Sequence, residues 1–300
     1  MRFKSFVLAA SLLPASLAIL AVPAAAETDW SKVDAIFGRT PMKSDNAVRY
    51  GFPRSDLNVT LDGVAIKPAF ALGGWVAFAP MGEQSMAMGD LVLTEAEINP
   101  VMAKLISEGI EVTAVHNHLL RASPATFYMH VDAHGDAVKI AESIRAALAL
   151  SKTPMQAAPP ASPPPPVDLD TAKLDEAIGV KGRANGGVYG FTVPRADTVK
   201  EDGMAVPAAL GSAIAINFEP TGGGKAAITG DFVALGKEVN PLITSLRTSG
   251  IEVTAIHNHM LNDEPRMFFI HFWANDDAQK LAKSLRGALD TMNVAKAKKP

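Results

Sequence analysis

The feature that most constrains this chain is an internal duplication. When the sequence is shifted by 141 residues, Glu111–His118 falls on Glu252–His259, and 11 of 21 positions are identical between residues 111–131 and 252–272. The match extends outward to three further dipeptide pairs: Asn99-Pro100 with Asn240-Pro241, Gly89-Asp90 with Gly230-Asp231, and Pro53-Arg54 with Pro194-Arg195. A unit of about 120 residues is too long for a solenoid repeat. The chain is therefore predicted to contain two copies of one domain.

A proline-rich segment separates the two copies. Seven of the seventeen residues from 151 to 167 are proline, a composition typical of an extended, semi-stiff spacer. We therefore predict module 1 over residues 27–150, a linker over 151–167, and module 2 over 168–300.

Each module is predicted to have an α+β fold. Module 2 shows the pattern most clearly, with a helix over 239–249, a strand over 251–259, a polar loop over 260–265, a strand over 266–273 and a helix over 276–289. The N-terminal halves add strand candidates at 76–79 and 213–218. Helices and antiparallel strands in this order predict an antiparallel sheet with packed helices in each copy.

Histidine is confined to the duplicated motif, where all seven histidines of the chain lie. Residues two apart on a strand share a face, so the two histidines of each His-Asn-His project together. If the next strand folds back antiparallel, a third histidine is expected beside the second, with Cβ atoms about 5 Å apart. Three imidazoles at this separation can hold a divalent ion, with zinc as first choice. The predicted sites are His116, His118 and His130 in module 1, and His257, His259 and His271 in module 2.

This pattern leaves three functional interpretations open. The first is an exported metal-binding protein without turnover, and the second is a metal-dependent hydrolase or lyase. The third is a polar ligand-binding pocket without a metal, because asparagine and histidine also satisfy strand ends by hydrogen bonding. An enzyme needs a general acid or base near the ion, and the candidates are Glu264 and Arg266 in the loop of module 2. Glu111 and Glu252 are expected on the opposite face of their strands.

The two copies differ around their histidines. Phe269 and Trp273 share the histidine face of the second strand in module 2, where they are predicted to form core or pocket wall, whereas module 1 has Tyr128 and Asp132 at these positions. Module 2 is therefore predicted to be the fuller site. Module 1 has either drifted or binds a different ligand through His134 and Asp132.

The N-terminus predicts export. Two basic residues, an apolar run over 6–22 and Ala24-Ala25-Ala26 form a signal peptide, with cleavage expected after Ala26. The mature protein is predicted to be periplasmic or secreted, with no later membrane span. A net charge of -3 gives no reason to expect nucleic acid as a partner; a metal ion or small molecule is expected instead. Because the chain has no cysteine, any soft-metal site must use histidine and oxygen ligands.

Two family resemblances follow from these motifs. The run from His257 to Trp273, with the helix after it, resembles the LppY/LpqO family, a domain of unknown function, and the resemblance covers both modules. Some members are named as lipoproteins, but this chain has no cysteine to lipidate. The histidine spacing alone is similar to the zinc site of acetolactate decarboxylase and of the plant-and-prokaryote-conserved domain. That similarity implies His257, His259 and His271 as zinc ligands and a substrate-polarising role for Arg266.

Overall fold

The computed structural model describes residues 28–44, 46–156, 163 and 165–295. The predicted signal peptide over residues 1–26 lies outside these ranges, as does part of the predicted linker. Within the described ranges, no helix is both long and apolar enough to cross a membrane.

Module 1 is a six-stranded antiparallel sheet with its three longest helices on one face. Its strands are ordered β1-β2-β5-β6-β8-β7, and a separate two-stranded ribbon, β3-β4, lies outside this sheet. The elements are α1 (Ser31–Phe37), β1 (Met42–Ser44), β2 (Ala47–Pro53), β3 (Thr60–Leu61), β4 (Val64–Ala65), α2 (Pro68–Ala71), β5 (Gly73–Met81), β6 (Gln84–Leu93), α3 (Glu95–Ser107), β7 (Glu111–His116), β8 (Phe127–Gly135) and α4 (Ala137–Leu148).

Module 2 repeats this architecture with the strand order β15-β17-β14-β13-β10-β9. The elements are α5 (Thr171–Ile178), β9 (Arg183–Asn185), β10 (Val188–Val193), β11 (Lys200–Glu201), β12 (Met204–Ala205), the short 3-10 helix η1 (Ala208–Leu210), β13 (Ile214–Gly222), β14 (Lys225–Leu235), α6 (Gly236–Thr248), β15 (Glu252–His257), β16 (Asp263–Glu264), β17 (Met267–Asp277) and α7 (Ala278–Leu289). The predicted α+β fold in two tandem copies is confirmed.

The predicted elements of module 2 are present with shifted ends. β17 continues to Asp277 because it pairs with β14 along its whole length, from Met267 opposite Leu235 to Asp277 opposite Lys225. The predicted loop over 260–265 contains the short strand β16, which pairs with β11. Pairing partners far away in sequence set these boundaries, and local patterns do not reveal them.

A buried arginine–glutamate ion pair lies at the equivalent position of each module. Arg54 donates to Glu97 at 2.7 Å in module 1, and Arg195 donates to Glu238 at 2.9 Å in module 2. Both glutamates also accept from the backbone N–H at the start of their own helices, α3 and α6. The charges are thus paired and hydrogen-bonded where they are buried, which limits the cost of burying them.

The face of each sheet opposite its helices is turned towards the other module. Trp75 and Met88 of module 1 pack in one hydrophobic cluster with Leu210 of module 2. Phe70, in α2, packs against Trp273 of β17 with ring centroids 6.2 Å apart. The short helix α2 of module 1 therefore lies on the sheet of module 2, where Asn217 donates to Phe70 O. The short helix η1 of module 2 lies on the sheet of module 1, where Arg49 donates to Ala209 O.

Candidate metal centre

A bulge in each edge strand orients the His-Asn-His motifs. The pairing of β7 with β8 shifts register between Val112 and Ala114, and β15 shifts at the equivalent place. The residue skipped in each strand is a threonine that bonds to the other module: Thr113 Oγ1 donates to His259 O at 2.6 Å, and Thr254 Oγ1 donates to His118 O at 2.7 Å. These reciprocal bonds hold the two motifs side by side.

The register between β7 and β8 sets the neighbours of the third histidine. His130 lies opposite Ala114, and Tyr128 lies opposite His116. The prediction that His130 lies beside His118 across the hairpin is therefore wrong, because β7 ends at His116 and His118 lies beyond the paired residues. The ring that stacks on His118 is Tyr128, with centroids 3.4 Å apart. Phe269 stacks on His259 in the same way, also at 3.4 Å, in agreement with its predicted position in the pocket wall.

Six histidines form one cluster between the modules. The shortest ring-to-ring distances among them join residues of different modules. These centroid distances are 3.6 Å for His116–His257, 3.7 Å for His118–His271 and 3.8 Å for His130–His259. The structure therefore differs from the expectation of one separate three-histidine site in each module. The six predicted residues are brought together, but across the duplication rather than within each half.

The third histidine of each module is held by a glycine carbonyl. Nδ1 of His130 donates to Gly89 O at 3.2 Å, and Nδ1 of His271 donates to Gly230 O at 2.7 Å. This bond fixes the tautomer and leaves Nε2 as a lone-pair donor. In both residues Nε2 is buried and has no hydrogen-bond partner within the described part of the chain.

The glycines themselves are required by the packing of the sheets. A Cβ atom added to Gly89 would lie 2.8 Å from Trp75 O, and one added to Gly230 would lie 2.0 Å from Ala215 O. Neither position can carry a side chain without moving a neighbouring strand.

Two aspartates, Asp90 and Asp231, complete the cluster. Asp90 Oδ2 lies 3.4 Å from His118 Nε2, and Asp231 Oδ2 lies 3.0 Å from His259 Nε2. The second carboxylate oxygen of each is buried without a partner among the described residues. Sequence reasoning found the Gly-Asp match between the copies but assigned it no role. The signal was an acidic residue kept in both copies inside an otherwise apolar strand.

Burial favours the neutral form of five of these histidines. It lowers the pKa of His116 and His257 strongly, and the neighbouring histidines lower it further. The pKa of His118 and of His259 is also well below the usual range, first because of burial. For His130 the pKa falls to about 3. Neutral imidazole is the form that binds metal ions.

The pKa of Asp231, which lies beside His259, is shifted in the opposite direction. Burial raises the pKa of Asp231 to about 7, and the nearby charge of Asp90 adds to this effect. A cation between the two carboxylates would reverse that shift, since an opposite charge favours the ionised form.

Ligand atoms from both modules lie close enough to share an ion. One donor atom each from His116, His118 and His271 lies within 4.8 Å of the others. Two further groups meet the same limit: His116 with His130 and His257, again from both modules, and Asp231 with His257 and His259, which all belong to module 2. Buried imidazole nitrogens without partners carry a desolvation cost, and a bound ion would remove it. The donor set of imidazoles and carboxylates fits zinc.

The predicted catalytic candidates lie elsewhere. Arg266 donates to Asp263 Oδ1 at 2.8 Å and to Leu261 O at 2.9 Å, so it braces its own loop. Glu264 is exposed in β16, opposite Lys200. In the described part of the chain, the carboxylates that contact the six-histidine cluster are Asp90 and Asp231 instead.

The two strand-start glutamates also depart from expectation. Glu111 lies opposite Asp132, and Glu252 lies opposite Trp273. The bulges at Thr113 and Thr254 change the side-chain parity, so neither glutamate is on the far face of its strand.

Comparison with known proteins identifies the family. The family described as "Domain of Unknown Function (DUF1259)" matches residues 31–150 and again residues 172–291. The chain belongs to this family. The expected tandem of two copies of a domain of unknown function is confirmed, and the function of the family is unknown by its own description.

Other comparisons add no argument about function. No curated protein matches the chain. Two solved structures are similar over most of the chain: a trimeric bacterial microcompartment shell protein PduB (14% identity, 81% of this chain, 86% of that chain, TM-score 0.18), and EtuB from Clostridium kluyveri (10% identity, 83% of this chain, 90% of that chain, TM-score 0.18). At these TM-scores neither structure supports an inference about this protein.

Proposed function

We propose that this protein is an exported metal-binding protein that holds two divalent transition-metal ions, zinc first, in a centre shared by its two modules. Each ion takes the His-Asn-His pair of one module and the third histidine of the other. The first set is His116, His118 and His271, with Asp90 beside it; the second is His257, His259 and His130, with Asp231 beside it.

The observation that carries this proposal is the set of buried imidazole nitrogens without partners. Nε2 of His130 and of His271 is fixed as a lone-pair donor by the Nδ1 bonds to the glycine carbonyls, and both atoms are buried and have no partner within the described part of the chain. Each of these rings lies within 4 Å, centroid to centroid, of a ring from the other module's motif: His130 of His259, and His271 of His118. Three nitrogens and one carboxylate are the ligand number of a closed, structural zinc site.

Metal binding without turnover is favoured over a metalloenzyme. His130 and His271 are each only 2% exposed, and Asp90 is 6% exposed, so a substrate has little access to these donors. The acid–base candidate Glu264 has no contact with the cluster among the described residues. Export, with cleavage after Ala26, remains part of the proposal on the sequence of the N-terminus.

Elemental analysis of the purified full-length protein tests the proposal. We expect close to two zinc ions per chain after zinc loading and removal of excess, and loss of both after treatment with a strong chelator. Zinc should raise the melting temperature, because an ion bound only by the native state stabilises it by mass action. A protein that takes up no stoichiometric metal, and whose melting curve ignores chelator and zinc, would leave the polar pocket without a metal as the better interpretation.

Two double variants test how the ligands are shared. His118→Ala/His271→Ala removes two ligands of one shared set, so one ion should remain. His118→Ala/His130→Ala removes a ligand from each shared set, so no tightly bound ion should remain. Sites built within single modules predict the reverse result. Circular dichroism and gel filtration confirm that both variants are folded before the metal is counted.

A further inference from the structure

A second group of polar residues lies beside the histidine centre and plays no part in it. It comprises five side chains from both modules, which we call the acidic flank: Glu111, Asp132, His134, Glu201 and Asp202. His134 Nε2 lies 3.7 Å from Asp132 Oδ1, and His134 Nδ1 lies 3.8 Å from Asp202 Oδ2. The negative charges of Glu201, Glu111 and Asp202 all act on Asp132. His134 thus lies between Asp132 and Asp202, and Glu111 lies opposite Asp132 on the neighbouring strand.

The duplication provides a matched comparison, because the equivalent place on the other side is occupied differently. There Arg121 pairs with Asp62 at 2.9 Å and with Glu252 at 3.1 Å, and Trp273 Nε1 donates to Asp62 at 3.1 Å. We call these four residues the arginine flank. Asp62 and Asp202 are equivalent, and both adopt positive φ, at 48° and 50°. One guanidinium thus neutralises the carboxylates of this flank.

The acidic flank has no such cation. The residue equivalent to Arg121 is Asn262, and the residue equivalent to Trp273 is Asp132. In the part of the chain that the structure describes, none of the four carboxylates of the acidic flank forms an ion pair with lysine or arginine. The flank therefore combines four acidic groups with a single histidine, whereas its counterpart combines two acidic groups with an arginine.

Two of these carboxylates are buried with an oxygen unsatisfied. Glu201 is 3% exposed; its Oε1 accepts from Asn262 N at 3.1 Å, and its Oε2 has no partner among the residues that the structure describes. The side chain of Asp132 is 7% exposed, and its Oδ2 has no partner in the described ranges. Burying a carboxylate without a partner destabilises the folded state unless a cation or a proton compensates its charge. Asp202, His134 and Glu111 are exposed, so their side chains can move to complete a ligand set.

We propose that the acidic flank binds a divalent cation of the oxygen-preferring class, such as Mn²⁺ or Ca²⁺, through Asp132, Glu201, Asp202 and His134. Carboxylates are the ligands that such cations prefer, and Mn²⁺ also accepts imidazole. The site joins a strand of module 1 to the β11 turn of module 2. A cation there replaces the guanidinium that joins the modules on the arginine flank.

The test uses Mn²⁺ as the probe and the full-length protein with its zinc content measured in the same sample. Electron paramagnetic resonance of free Mn²⁺ should report uptake of one ion per chain. Asp132→Asn should weaken Mn²⁺ binding at least tenfold and abolish the rise in melting temperature that Mn²⁺ causes. Because this variant removes a buried charge, it should be at least as stable as the wild type without Mn²⁺, which separates lost binding from lost folding.

Matched controls separate this site from both the arginine flank and the histidine centre. Asp202→Asn should weaken Mn²⁺ binding, whereas Asp62→Asn, at the equivalent position on the arginine flank, should leave it unchanged. His116→Ala/His257→Ala should lower the zinc content and retain the Mn²⁺ site. No Mn²⁺ uptake by the wild type at millimolar concentration, or equal losses in Asp62→Asn and Asp202→Asn, would overturn the proposal. Neither result depends on whether the histidine centre holds zinc.

Discussion

The two copies have the same residue types in the histidine centre but different ones in the two flanks beside it. In the centre, every donor candidate of module 1 has the same residue type in module 2: three histidines and one aspartate in each copy. In the flanks, Arg121 corresponds to Asn262, Trp273 to Asp132 and Leu61 to Glu201. One part of the interface is nearly symmetric, and the part next to it is not.

The geometry gives a physical reason for this difference. In the centre, rings of the two modules stack directly on each other, so a change in either copy alters the surroundings of both sets of donors. The flanks are separate places that use different members of each equivalent pair. A substitution at 132 changes only the acidic flank, and a substitution at 121 changes only the arginine flank. The shared centre thus couples the two copies, whereas the flanks leave them free to differ.

The largest expected effect is a loss of protein stability at low pH, caused by the buried histidines of the centre. A histidine whose pKa is lowered by folding is neutral in both the folded and the unfolded protein above about pH 6.5. Below that pH the unfolded chain binds a proton at this histidine, and the folded protein does not. The free energy of unfolding should therefore fall as the pH falls, and for His130 it should continue to fall towards pH 3. Asp231 and Asp132 have a pKa raised to about 7, so each opposes this loss between about pH 7 and 4.

The histidines outnumber the opposing aspartates. Five histidines have a lowered pKa against two aspartates with a strongly raised one. At up to about 1.4 kcal/mol per pH unit for each group, the chelated protein should lose on the order of 3 kcal/mol between pH 6 and 5. Urea denaturation at each pH measures this loss. His116→Ala/His257→Ala should flatten the dependence, and a wild-type stability that is level from pH 7 to 5 would contradict neutral burial of the cluster.

A smaller effect compares the two glycines that support the third histidines. Gly230→Ala places a methyl group 2.0 Å from Ala215 O and 2.9 Å from Ala215 C, so the backbone of β13 must move. Gly89→Ala meets Trp75 O at 2.8 Å and two valine methyl groups at 3.0 and 3.2 Å, which can yield more easily. We expect a loss of about 3 kcal/mol or more for Gly230→Ala and about 1–2 kcal/mol for Gly89→Ala.

Chemical denaturation of both variants beside Gly51→Ala measures this difference. A Cβ atom added to Gly51 would meet no other atom within 4 Å, so this substitution should change stability by less than about 0.5 kcal/mol. Equal losses at 89 and 230 would mean that the sheets relax equally in both modules. That result would contradict the difference in packing that the distances around Gly89 and Gly230 indicate.

The fold could be predicted further from sequence than the site could. Helical periodicity and β-branched alternation are local signals, so α6, β15 and α7 were found with ends shifted by a few residues. The bulges at Thr113 and Thr254 could not be found, because a bulge depends on which residue of the partner strand is skipped. The neighbours of the third histidine depend on where the first strand ends: the prediction placed His118 within that strand, whereas β7 ends at His116.

The shared centre could not be predicted for a different reason. Spacing along the chain predicted six histidine ligands and grouped them by module, since sequence proximity was the only distance available. The grouping across modules depends on the reciprocal bonds from Thr113 and Thr254 to the opposite motif, which no local pattern encodes. Asp90 was within reach of sequence reasoning, as an acidic residue kept in both copies. His134 and Asp132 were predicted as a possible separate ligand set in module 1, and the structure brings them close to Asp202 of module 2.

The smallest expected effect on stability comes from making one flank resemble the other. Asn262 is exposed and equivalent to Arg121, so Asn262→Arg should be accepted in the loop with little change in melting temperature. Its guanidinium should reach the carboxylates of the acidic flank and compete with a divalent cation, because both neutralise the same charges. We expect Mn²⁺ affinity to fall about tenfold, a change worth about 1.4 kcal/mol, with the zinc content unchanged. Asn262→Gln, similar in polarity but uncharged, should keep the wild-type affinity. If Asn262→Arg binds Mn²⁺ as tightly as the wild type does, the two flanks differ by more than the presence of one cation.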